Sequence, residues 1–283
     1  GELIKAALAE GAKKIIVGCG DSGVSDGGIG ALQALGVNIT DQANQNVQLG
    51  GQALQDVAQI DYAGLLPQLC QQKVELKLAL NPFNILCGPR GVAPVFGPQK
   101  GASPEQVEQL SKGLENWAKH LKNHHLNPIK NFDFSYASGT GASGGLGAGL
   151  AAIGAKLCPR FDVFLGEELL GYDLDAHIER ADLIITAEGA LDCQTLRGKV
   201  PAEIASRAAK HHKPVLALAG TLGQDANCVY DIGIDAMSSI LPRPMSLEDA
   251  ILQSETLVIQ ATERLIKSVL LGVKIAYKQQ LVV

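Results

Sequence analysis

Aromatic residues are scarce, at 4% of the chain with a single tryptophan, and charged residues make up only 19%. The six cysteines (Cys19, Cys70, Cys87, Cys158, Cys193 and Cys228) are scattered, with no CxxC pair and no histidine at ligand spacing. That scatter argues against a zinc site and a disulfide framework, and reads as reduced thiols in a cytoplasmic, soluble protein. The formal net charge of -5 and the lack of any lysine or arginine run exclude a basic surface for nucleic acid. No apolar stretch is long enough to span a bilayer and no signal-peptide pattern opens the chain, so no membrane partner is expected.

What is present is glycine (32 residues) and a 46% hydrophobic content, spread over 283 residues. That length favours two domains over one. Abundant small residues favour α/β layers with tight loops over a β-sandwich. The spacing predicts a helix over 2–10 closed by Gly11, a short buried strand over 14–18, and a helix over 28–35 stopped by Gly36. A half-exposed strand is expected over 74–80, and a long helix from Ser103-Pro104-Glu105-Gln106 to about His120. The polar stretch 123–130 reads as a loop. In the second half, buried strands over 182–187, 214–220 and 236–241 alternate with helices over 201–210, 225–232 and from Ser246 to about Gly272. That rhythm implies right-handed crossovers and a parallel sheet, with too few strands for a whole doubly wound domain.

Glycine-rich segments could carry chemistry. CGPRGVAPVFGPQKGA over 87–102 sets Arg90 and Lys100 among glycines and prolines, in a segment expected to be neither helix nor central strand. Such a loop suits an anion, with Arg gripping by its fork and Lys as a mobile charge; solvated surface cations are the alternative. GCGDSGVSDGG over 18–28 lies between a strand and a helix, where backbone N–H groups face an anion. Asp21 and Asp26 count against a plain phosphate cradle, and a turn with Asp26 as N-cap fits equally. GTGASGGLGAG over 139–149 holds a GxGxxG after the alternating FDFSY, with Asp162 where a ribose-binding acid would fall. Tight helix packing competes with that dinucleotide reading. TAEGALDCQTLRGK over 186–199 follows a buried strand, at the edge where open α/β sheets bind ligands. Glu188, Asp192 and Lys199 there could hold Mg²⁺ and a phosphate, or merely pair with one another.

Together these segments resemble the bacterial glycerate kinase family over essentially the whole chain. The family patterns GIGGSATNDGG, GPRGA…FGPQKGA, GAGAAGGMGA, GEGRIDSQTLHGKVP and KPVIALAG are matched at 18–28, 88–102, 139–148, 187–201 and 213–220. Asp21 replaces a glycine, Val24-Ser25 a Thr-Asn pair, Ala187 the first glycine of GEG, and Asn81 a common Asp. The resemblance implies a flavodoxin-like (Rossmann-like) parallel sheet interrupted by an inserted α/β domain, with 1–180 in the insert and 181–283 in the sheet domain. Family members begin earlier, so the N-terminal strands are expected to be missing from this sequence.

The implied activity is phosphorylation of D-glycerate from ATP with Mg²⁺, in which positioning and charge neutralisation dominate. Glu188 and Asp192 would hold Mg²⁺ and the glycerate hydroxyl, one of them accepting its proton. Arg90 and Lys100 would hold the glycerate carboxylate or the transferring phosphoryl group, with Lys199 as a further candidate. Gly20, Asp21, Ser22 and Asp26, with Gly139, Gly141, Ser143 and Gly144, would line the cleft near Asn81. Which loop takes ATP and which takes glycerate stays open, and the 2-hydroxyl is the implied acceptor. A truncated, inactive binding remnant is the rival reading, and an NAD-linked oxidoreductase a remote one.

Overall fold

The computed structural model describes residues 1–121 and 131–280; the expected loop over 123–130 lies outside the described residues. The first half holds the strands β1 (Lys14–Gly18), β2 (Asn38–Thr40), β3 (Gln59–Asp61), β4 (Glu75–Leu80) and β5 (Lys156–Pro159). β4 lies between β1 and β5 in a parallel sheet, and β2 pairs with β3 antiparallel. β1 was expected to be buried but is half-exposed, because it forms an edge of a narrow sheet. Lys77 sits opposite Lys156 in the β4–β5 register, a repulsive pairing. Glu75 offsets it, 2.8 Å from Lys156 Nζ and 3.5 Å from Lys77 Nζ.

The chain divides into two units, Gly1–Leu169 and Leu170–Val283, against an expected boundary at 180. The intervening helix, Leu174–Arg180, buries Ile178 in the core of the second unit. The fold is α/β throughout. Among the described residues no helix is long and apolar enough to cross a membrane.

In the first unit the Pro104–Leu121 helix starts with a capping box. Gln106 N–H donates to Ser103 Oγ (3.3 Å), and Gln106 Oε1 accepts from Ser103 N–H (2.8 Å). Its inner face buries Leu114, Trp117, Ala118 and Leu121. Trp117 is fully buried, and its indole N–H donates to the Gly27 carbonyl at 2.9 Å. That bond ties the long helix to the first glycine loop.

The second glycine loop presses on the same place. Ser143, Gly144 and Gly145 all take left-handed backbone (φ 49°, 69° and 97°) before the helical run that ends at Ala152. Gly27 N–H donates to the Gly144 carbonyl at 3.0 Å. A Cβ on Gly144 would sit 1.9 Å from the Val24 carbonyl oxygen, and one on Gly145 2.6 Å from Gly27 Cα. The two loops therefore meet backbone to backbone, with no room for side chains.

Two expectations in this unit need correction. The segment over 87–102 is not free of helix: Val92–Phe96 is helical and Pro98–Lys100 forms a 3₁₀ turn. Pro94 is tolerated because it is the third helical residue, where its missing N–H has no intrahelical acceptor. The alternating FDFSY over 132–136 forms turns, not a strand. Asp133 Oδ1 accepts from Ser135 N–H at 2.9 Å, closing an Asx turn that competes with extended pairing.

In the second unit β6 (Ile184–Leu191), β7 (Val215–Leu222) and β8 (Ala236–Ser239) form a parallel sheet in that order. The strand count there is the one the sequence indicated. β6 is longer and more exposed than expected, so Glu188 lies inside a strand and not in the loop after it. The Ala226–Ile232 segment is 3₁₀, not α. The C-terminal region is two helices, Leu247–Leu252 and Ser254–Gln280. Gly272 does not end the second one, since an exposed helical glycine weakens a helix by only about 1 kcal/mol and takes no left-handed cap here.

The loop contact predicts a sharp contrast between neighbouring glycines. Gly144→Ala combines left-handed strain with a backbone clash and should cost about 3 kcal/mol or more in a urea titration. Gly20→Ala meets nothing within 4 Å and should cost less than about 1 kcal/mol. Equal losses would refute the packing described.

Candidate functional site

β1 ends where the first glycine loop begins, at the carboxyl edge of its sheet. There a cavity of about 490 Å³ gathers Gly20, Asp21, Ser22, Lys100, Gly141, Ser143 and Gly144 from the expected set. Cys19, Asn84, Phe96 and Gln99 also line it and were not foreseen. Asn84 had a signal: it shares the short turn-rich segment with Asn81, and its carbonyl accepts from Gly141 N–H at 3.0 Å. A second cavity of about 300 Å³ shares Gly23 and Lys100 with the first and adds Ser25, Gln52 and Gln109.

Lys100 stands between the two cavities. Its ammonium donates to the Val24 carbonyl (2.5 Å), Ser22 Oγ (3.3 Å) and Ser25 Oγ (3.3 Å). The 3₁₀ turn ending at Lys100, with Gly101 left-handed after it, fixes where the side chain starts. Burial holds the Lys100 ammonium below the usual lysine range, and the Asp26 charge opposes that shift. Burial pushes the Cys19 thiol up, with a hydrogen bond to Ser143 pulling the other way.

Other expected residues do local structural work. Asp26 caps the following helix, accepting from Gly28 N–H (2.9 Å) and Gly30 N–H (3.3 Å). Asn81 Oδ1 accepts from Phe83 N–H at 3.0 Å in an Asx turn. Gly139 is left-handed and packs on Leu80. Arg90 is exposed beside the Gly88–Gly91 turn and is not among the residues lining either cavity. The dinucleotide reading loses its main support: residues 131–139 form turns, so no strand precedes Gly139. Asp162 lies in the short Arg160–Phe164 helix after β5.

In the second unit the alternation of β6 puts Glu188 and Ala190 on one face, continued by Asp192 just past the strand. Asp192 Oδ1 accepts from Gln194 N–H (2.8 Å) and Thr195 N–H (3.2 Å), which folds the following 3₁₀ turn. Lys199 Nζ reaches the Ala190 carbonyl (3.2 Å) and Asp192 Oδ1 (3.5 Å). Lys199 also occupies the N-cap position of the Val200–Lys210 helix, whose N-terminal end favours anions. Among the described residues no group of three or more His, Cys, Asp or Glu could hold a metal ion. The Glu188–Asp192 pair suits Mg²⁺ only as the ion usually arrives in phosphoryl transfer, with waters and substrate phosphates completing its shell.

The sequence model of the "Glycerate kinase family" matches residues 1–270. The chain belongs to the glycerate kinase family. It is 39% identical over 251 residues to "Glycerate kinase" of Bacillus subtilis (strain 168), covering 88% of this chain and 63% of that protein. It is 35% identical over 275 residues to "Glycerate 2-kinase" of Escherichia coli (strain K12), covering 97% of this chain and 69% of that protein. The chain thus spans about two thirds of the length of these curated relatives. The crystal structure of a "putative glycerate kinase 2 from Salmonella typhimurium LT2" is similar with a TM-score of 0.73 at 35% identity. That match covers 96% of this chain and 68% of the other. The matched segments at 18–28, 88–102 and 139–148 thus contribute walls of the cavity around Lys100.

The lowered Lys100 pKa has a sign that can be tested. An anion held by Lys100 would need the protonated amine, so its affinity would be present below the Lys100 pKa and lost as pH rises through it. Calorimetry of D-glycerate or phosphate binding should show that loss beginning at lower pH than an ordinary lysine would give. Lys100→Arg, charged throughout, should flatten the profile. A profile unchanged by Lys100→Arg would contradict the assignment.

Proposed function

We propose that this chain phosphorylates D-glycerate with ATP, Mg²⁺ entering with the nucleotide, to give 2-phosphoglycerate in the cytoplasm. Family membership supports the substrate class, and the printed name of the Escherichia coli relative supports the 2-position. The observation that carries the reading is the partly buried Lys100 ammonium, held among glycine-loop backbone and serine hydroxyls beside a cavity of about 490 Å³. A cation kept partly dry acts more strongly on developing phosphoryl charge than one in water.

The roles follow from charge. Lys100 holds the glycerate carboxylate or the transferring phosphoryl group, and the surrounding loops orient it. In the second unit Glu188 and Asp192 would hold Mg²⁺, which would supply positive charge to phosphate oxygens, with the Lys199 ammonium 3.5 Å from Asp192 Oδ1. Arg90, exposed as it is, is left a secondary role in guiding anions.

The test is ADP release coupled to D-glycerate, with ³¹P NMR to distinguish the 2- from the 3-phosphate. Lys100→Ala and Asp192→Asn should each lower kcat/KM by about 100-fold or more. Nucleotide or glycerate binding without turnover by the unmodified full-length protein would favour a binding role and sink the kinase reading.

A further inference from the structure

Cys193 and Cys228 come from different loops of the second unit, yet their sulfur atoms lie 2.9 Å apart. Cys193 follows Asp192 in the loop after β6, and Cys228 sits in the Ala226–Ile232 turn after β7. β6 and β7 are parallel neighbours, so both thiols emerge at the same carboxyl edge of the sheet. The Cys193 thiol also points at the Asp225 carbonyl oxygen, at 3.5 Å. Both are free thiols; Cys193 is exposed and Cys228 half-buried. A disulfide needs sulfurs about 2.05 Å apart, so a small side-chain adjustment closes the gap.

We propose that Cys193 and Cys228 form a reversible dithiol–disulfide couple, a modification site that ties the loop bearing Asp192 to the turn after β7. The oxidant is a low-molecular-weight disulfide of the glutathione class. The deprotonated Cys193 sulfur attacks one sulfur of that disulfide, breaking its S–S bond and releasing one thiolate. The deprotonated Cys228 sulfur then attacks Cys193 Sγ, breaking the mixed S–S bond and releasing the second thiolate. Two electrons pass from the protein to the small disulfide, and the protons of both cysteine thiols end on the released thiolates. Exposed disulfides in reducing compartments are characteristically labile and regulatory, which fits a couple at this edge.

Its effect follows from what the loop carries. Asp192 Oδ1 organises the turn from Gln194 to Arg197 and meets Lys199, so fixing Cys193 next to it restrains that arrangement. The further step, that oxidation alters phosphoryl transfer, rests on the function proposed above.

The experiment equilibrates the full-length protein in glutathione buffers of rising disulfide content and maps crosslinks by mass spectrometry after an acid quench. One bridge joining the Cys193 and Cys228 peptides is expected, reversed by dithiothreitol, lost in Cys193→Ser and in Cys228→Ser, and kept in Cys70→Ser. Amide exchange over 192–199 should slow about tenfold on oxidation. Glutathione retained on Cys193 without bridging, a bridge to another cysteine, or unchanged exchange would overturn the proposal. Turnover in the same samples separates the two claims. A bridged protein that is inactive even when reduced speaks against the kinase reading alone; an active enzyme that never bridges speaks against the couple.

Discussion

The first unit depends on one close approach, the backbone of the first glycine loop lying directly on that of the second. Gly27 N–H meets the Gly144 carbonyl, and a Cβ on Gly149 would sit 2.7 Å from the Gly27 carbonyl oxygen. Contact at this range leaves no side chain to cushion error, so the loops are positioned by main-chain geometry alone. The single tryptophan completes the arrangement from beneath, its indole N–H satisfying a carbonyl that would otherwise be buried unpaired. Lys100 closes it from above through the Val24 carbonyl. A cavity wall built this way is rigid without being bulky, which a small anionic ligand requires.

The second unit uses a different device. Its apolar core is small, assembled from alanines, valines and isoleucines such as Ala205, Val215, Ala217 and Ile234. Close helix–sheet packing follows from small side chains. The polar residues of interest gather where β6 leaves that core, and Asp192 there is an architectural residue. Its carboxylate shapes the turn that brings Lys199 back to the strand end.

Some strands were legible in the sequence as short apolar runs, whereas β2, β3 and β5 had no counterpart in that reading. KKIIVG, VELKLAL and PVLALAG each gave a strand within a residue or two of its place. The capping box at Ser103 was legible because its chemistry is local. FDFSY misled because alternation is only a statistical cue, and one aspartate was enough to fold the backbone into a turn. The helix at Val92 was hidden by prolines that read as breakers yet sit in its first turn and beyond its end. Within the candidate site, the glycines flagged the loops correctly as surfaces of close approach. Spacing could not tell which polar residues face the cavity. Asp26 and Asn81 turned out to hold backbone, whereas Asn84, from the same turn-rich segment as Asn81, and Gln99, from the 87–102 segment, line the cavity.

An ammonium carries three protons, and that of Lys100 has a carbonyl and two serine hydroxyls as acceptors. An oxyanion bound there, as proposed, would therefore displace a partner and not simply add to the list. Each serine so released can rotate its O–H away from the lysine and toward the newcomer, changing from acceptor to donor without any main-chain shift. Binding of that kind would reverse the polarity of the wall, because the groups that now hold the lysine would turn to hold the guest.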